Sequence, residues 1–139
     1  MKMRIMPVLL ACVLMPLALS AQEQPLTPEQ EEKKLREGIE KMVLNYEETL
    51  KLEVWQTFYV DSILNHNYSA MIEETKKMSQ NRVENYELYQ IITDKWDEKT
   101  FEAFHQIFNE EQWKKYLKTG AARAKKDRDK RAAKREGKK

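Results

Sequence analysis

The chain has 139 residues, 35% of them charged and 41% apolar, with only three glycines and four prolines. So few turn-formers exclude an all-β sandwich and a glycine-rich phosphate loop, and the composition favours long, solvent-exposed helices. The formal charge of +2 hides an uneven distribution: Gln22 to Trp113 carries ten basic against twenty acidic residues, and Lys114 to Lys139 carries thirteen against three.

The first element is not part of a fold. Lys2 and Arg4 precede a charge-free run of fifteen residues from Ile5 to Leu19, and Leu19-Ser20-Ala21 is followed at once by polar Gln22-Glu23-Gln24. This is the pattern of a secretory signal peptide over residues 1–21, with cleavage after Ala21 or Ser20. The run contains Pro7 and Pro16 and falls short of the ~20 apolar residues of a spanning helix, so no stable membrane insertion is expected. Cys12 is the only cysteine. Leu9-Leu10-Ala11-Cys12 looks like a lipidation box, but an apolar stretch follows instead of a polar tether, and Cys12 reads as one more residue of the export signal. Its removal leaves a chain without disulfide or thiol chemistry.

Residues 22–119 are expected to form one helical domain. Leu26-Thr27-Pro28-Glu29-Gln30 is a helix start: Thr27 suits the N-cap, Pro28 the first turn, and Gln30 completes a capping box. A first helix is predicted to about Asn45, with Leu35, Ile39, Met42, Val43 and Tyr46 as its apolar stripe. A second is predicted to Met78. In it Leu52, Trp55, Tyr59, Ser62, His66 and Ala70 recur at three and four, with Val60, Ile63, Leu64, Asn67 and Met71 beside them. The predicted break is Ser79-Gln80-Asn81. A third helix, from about Arg82 to Phe108, carries Tyr86, Tyr89, Thr93, Trp96, Thr100, Ala103 and Ile107 at heptad-like spacing. A fourth starts with Asn109 as cap and Gln112 at the third helical position. The expected architecture is all-α: long amphipathic helices forming a thin hairpin or small bundle, dimeric, with a basic C-terminal tail.

That tail, residues 120–139, has no large apolar residue and is expected to be a solvated helix or disordered. Arg123–Asp127, Lys125–Asp129 and Asp127–Arg131 are spaced for (i, i+4) pairs. Anionic headgroups or an acidic protein face, including the chain's own body, are its remaining partners; nucleic acid is not expected for an exported protein. No catalytic pattern is visible. His66 and His105 lack convergent partners, and the carboxylate pairs Glu47-Glu48, Glu73-Glu74 and Glu110-Glu111 diverge around their helices. No metal, cofactor or enzymatic activity is therefore expected.

Leu26-Thr27-x-x-Gln30 matches the LTxxQ motif of the Spy/CpxP family of periplasmic stress proteins. Leu52-Glu53-Val54-Trp55-Gln56 and Phe108-Asn109-Glu110-Glu111-Gln112 are degenerate copies, so the motif residues are Leu26, Thr27, Gln30, Leu52, Gln56, Asn109 and Gln112. Between Leu26 and Leu117 the chain resembles a distant member. The resemblance implies a helical hairpin, a cradle-shaped homodimer, and ATP-independent capture of unfolded envelope proteins in the periplasm. The longer basic tail and the acidic Glu47-Glu48 depart from the family, and its clustered metal-sensing histidines are not carried over. The chain has more large aromatics than a thin helical layer can enclose, so some are expected to form a client-binding surface; Tyr68, Tyr89 and Trp96 are the residues chosen for it. The rival reading is an exported adaptor with one protein partner.

Overall fold

A computed structural model describes residues 25–137. The expected export signal over residues 1–21, with Cys12, lies outside the described residues. Those described form α1 (Pro28–Leu50), α2 (Val54–Gln80), α3 (Tyr86–Ile107), α4 (Glu110–Tyr116), a kinked turn (Leu117–Ala121) and α5 (Ala122–Glu136). There is no strand among them, and the fold is an all-α bundle.

α1 begins at its expected cap, whereas α3 begins at Tyr86, later than the expected start near Arg82. Thr27 Oγ1 accepts from the Gln30 N–H at 3.3 Å, and Gln30 Oε1 accepts from the Thr27 N–H at 2.9 Å. Asn85 caps α3 by accepting from the Glu87 N–H. The end of α1 was less legible. α1 runs to Leu50, past the expected stop at Asn45, because Tyr46 and Leu50 still face the core. It ends when Lys51 adopts a left-handed conformation, φ 55°. Arg82, also at φ 55°, turns the chain between α2 and α3. Neither turn uses the glycine that usually takes this geometry, yet α2 ends at Gln80, within the expected Ser79-Gln80-Asn81 break.

α2 is the central helix, with α1 and α3 antiparallel to it. Lys76 near the end of α2 pairs with Glu31 near the start of α1 at 2.8 Å, and Asn67 Nδ2 donates to Thr100 Oγ1 of α3 at 2.9 Å. The core lies toward one end of the bundle: Ile39, Val43 and Leu50 of α1, Val60 and Leu64 of α2, Phe104 of α3, and Phe108 and Tyr116 around α4. Aromatic edges bind its layers, with Tyr46 5.7 Å from Phe104 and 5.8 Å from Tyr116 between ring centroids. Such pairs contribute ~0.5–1.5 kcal/mol each beyond burial.

The C-terminal segment does not hang free. At Gly120 the backbone takes φ +105°, which side-chain-bearing residues resist, and this redirects the chain. α5 then runs back along α3. Arg131 forks onto Asp94 with Nε at 3.0 Å and Nη2 at 2.6 Å, Arg135 adds a third bond at 2.9 Å, and Arg128 Nε reaches Glu98 at 3.1 Å. Burial pushes the Asp94 carboxyl up, but hydrogen bonds from Arg131, Arg135 and Gln90 outweigh it and hold the group below the ordinary aspartate range. The division of labour follows side-chain chemistry. Three of the four docked cations are arginines, whose planar fork matches a carboxylate, and Lys125 joins Arg128 on Glu98 at 3.0 Å. Exposed Lys126, Lys130 and Lys134 face outward. Of the expected (i, i+4) pairs, Lys125–Asp129 forms, whereas Arg131 turns to Asp94.

Candidate binding face

The three motif copies meet different fates. Thr27 and Gln30 are exposed and serve α1 alone. Gln56 and Gln112, at the third positions of α2 and α4, are buried and clasp each other. Gln56 Nε2 donates to Gln112 Oε1 at 2.7 Å, and Gln112 Nε2 returns a bond to Gln56 Oε1 at 2.9 Å. The second amide proton of each goes to a backbone carbonyl two residues ahead of the opposite helix's cap: Ile107 O at 2.9 Å and Lys51 O at 3.3 Å. Each Oε1 also accepts the cap N–H of its own helix, Glu53 at 2.9 Å and Asn109 at 3.0 Å. The result is a near-two-fold clasp in which both amides use every donor and both acceptor sites. Asn109 Oδ1 completes the box on α4 by accepting the Gln112 N–H. Leu52 packs against the core beside this clasp, while Leu26 remains 40% exposed.

The clasp fixes the start of α2, and that start carries the most exposed apolar surface. Val54 and Phe58 are 89% and 69% exposed, with Trp55 and Tyr59 half-exposed between them. Ring centroids of Trp55 and Phe58 lie 6.1 and 5.9 Å from Tyr59, so the three rings are one group. The Trp55 indole N–H donates to the Glu53 carboxylate, which orients the ring. Tyr86, Leu88 and Ile91 form a second exposed set at the start of α3, toward the other end of the α2–α3 hairpin.

The aromatics chosen from sequence are not the exposed ones. Trp96 is only 9% exposed: Lys99 Nζ lies over its ring at 4.1 Å, Lys95 Nζ at 5.1 Å, and His66 meets it edge-on at 6.1 Å. Tyr89 is half-buried and donates its hydroxyl to Val83 O at 2.8 Å. Tyr68 is half-buried against the core. The heptad-spaced stripe of α3, to which Tyr89 and Trp96 belong, is largely interior. On α2 the relation is inverted: the regularly spaced Trp55, Tyr59, Ser62 and His66 face outward, and the adjoining Val60, Leu64 and Asn67 are buried. The spacing alone marked Trp55 and Tyr59 as one face but not as the outer one.

The histidines take structural positions, His105 stacking on Trp113 at 4.3 Å and His66 against Trp96. Among the described residues no group of three or more His, Cys, Asp or Glu could hold a metal ion, and no helix is long and apolar enough to cross a membrane. No protein-family model, curated protein or solved structure gives a significant match to the chain.

Proposed function

We propose that this chain is an exported helical binding protein that captures exposed apolar segments of partly folded envelope proteins, in the ATP-independent manner of Spy/CpxP-type chaperones. The observation that supports it most is the Val54, Trp55, Phe58 and Tyr59 group, which stands in solvent on a helix start held by a fully satisfied buried clasp. Burying one large apolar side chain is worth roughly 1.5–3 kcal/mol. A client covering two or three of these rings therefore gains several kcal/mol, most of it offset by the cost of association. The outcome is weak, reversible capture, as a holding chaperone needs. Acidic Glu47, Glu48, Glu53 and Asp61 are exposed on α1 and α2 and favour clients with basic flanks. The working unit is a homodimer, as the resemblance implies.

The test is suppression of aggregation of two unrelated unfolded substrates by purified protein, with Trp55→Ser/Phe58→Ser as the comparison. Protection should be lost in the variant while its helical circular dichroism is retained, and should persist in molar salt, where the Debye length falls to ~3 Å. Saturable one-to-one binding of a single protein, with no general protection, would select the adaptor instead. Sedimentation of the same sample reads the dimer.

A further inference from the structure

A second site, separate from the aromatic face, lies where all the helices meet. A cavity of about 210 Å³ opens between α1, α2, α3, α4, the kinked turn and α5. It is lined by Tyr46, Tyr68, Phe101, Tyr116, Asp97 and Arg128, among others. Its volume corresponds to roughly seven water molecules, suited to a ligand of amino-acid size. The chain kinks beside it: Gly120, at φ +105°, sits on its wall between α4 and α5.

The polar groups here are unspent. Arg128 is 7% exposed; its Nε is committed to Glu98, but its Nη2 is buried with no hydrogen-bond partner. Among the described residues, none of the hydroxyls of Tyr46, Tyr68 and Tyr116 has a hydrogen-bond partner, and Asp97 makes no ion pair. Burial pushes all three phenols up, so they are neutral donors. Burial also pushes the Asp97 carboxyl up, Asp94 adding to this and Arg128 and Arg131 opposing it. A buried donor normally finds a partner, and here a cation and an acid face one cavity without touching.

We propose that this cavity binds a small zwitterion, an α-amino acid or betaine, with its carboxylate on Arg128 Nη2 and the tyrosine hydroxyls and its ammonium among the aromatic rings beside Asp97. The charges select this class. Beyond the Arg128–Glu98 bond, the lining keeps one unbonded guanidinium nitrogen and one unpaired acid, so a ligand with a single charge engages only one of them. A dipolar ligand meets both. The rings of Tyr46, Tyr68, Phe101 and Tyr116 add the electron-rich faces that hold organic ammonium groups.

Calorimetric titration of the purified protein with L-alanine and glycine betaine tests this, with acetate, choline and glycerol as single-charge and uncharged controls. At least one zwitterion should bind one-to-one and raise the melting temperature, with every control at least about tenfold weaker. Asp97→Asn removes no contact that holds the fold and should weaken zwitterion binding about tenfold or more with helical content unchanged. Ala124→Met, which narrows the cavity without touching a charge, should block binding as well. No heat with any zwitterion at about 10 mM, far above the affinity a built site requires, overturns the proposal. So does acetate or choline binding as tightly as the zwitterions, or undiminished binding in either variant. Protection by the aromatic face is read by a separate assay, so either proposal can fail alone.

Discussion

The glutamine clasp makes the sharpest energetic prediction, because one sequence motif is used once in solvent and twice in the interior. In Gln56→Leu, the Ile107 carbonyl loses its amide donor, the Glu53 N–H loses its acceptor, and both polar atoms of Gln112 lose one of their two partners. A buried polar group left unmet costs ~1–3 kcal/mol. With partial relief from water and from the partners Gln112 retains, the expected cost is ~3–5 kcal/mol, a large share of a typical stability of ~5–15 kcal/mol. Gln112→Leu should cost about the same, since the arrangement is nearly symmetric. The double variant should be less damaging than the sum, with a coupling of about 2 kcal/mol, because neither side-chain amide is left half-paired, although Glu53 N–H, Asn109 N–H and the Ile107 and Lys51 carbonyls still lose their partners. By contrast Thr27→Ala, in the exposed copy, should cost ~1 kcal/mol or less. Urea unfolding followed by helical circular dichroism measures all four. If each buried glutamine costs no more than Thr27, or if the two costs simply add, the clasp does not hold the bundle as described.

Other outcomes follow from the C-terminal half. Asp94 has a lowered folded-state pKa, so its contribution to stability is present above the ordinary value of 3.8 and is lost as pH falls below it. Acid titration should therefore release α5 below about pH 4 in the native protein, and Asp94→Asn should abolish that transition, as read by amide exchange across α5. Asp97 has the opposite sign: its raised folded-state pKa means that stability falls as pH rises from 3.8 through the folded value. Asp97→Asn should thus raise the melting temperature at pH 7 and change it little at pH 3. Gly120→Ala meets open space but keeps a positive φ, so its cost is backbone strain alone, ~1–2 kcal/mol in urea unfolding. Arg131→Lys should loosen α5 more than Lys126→Arg, since a lysine cannot make the two-pronged contact with Asp94; salt dependence of the α5 exchange rates reads the difference.

The starts of α1 and α4 and the all-α class were legible because they rest on local chemistry. A cap such as Thr27 with Gln30, or Asn109 with Gln112, acts over three residues and needs nothing from the rest of the chain. The end of α1 was not legible, because Lys51 takes a left-handed turn that no glycine announces, whereas α2 ends at Gln80, inside the expected break. What tertiary structure alone decided was which of two faces is covered. α2 has apolar residues on both sides at helical spacing, and periodicity records both faces without saying which one a neighbour will bury. α1 and α3 settle on Val60, Leu64 and Asn67, and so leave Trp55, Phe58 and Tyr59 outside. Trp96, chosen for exposure, is closed over by Lys95, Lys99 and His66. The pairing of Gln56 with Gln112, 56 residues apart, and the return of α5 onto Asp94 are long-range contacts of the same kind. The sequence supplied two amides and a split of charge; only the packed bundle could bring their partners within reach.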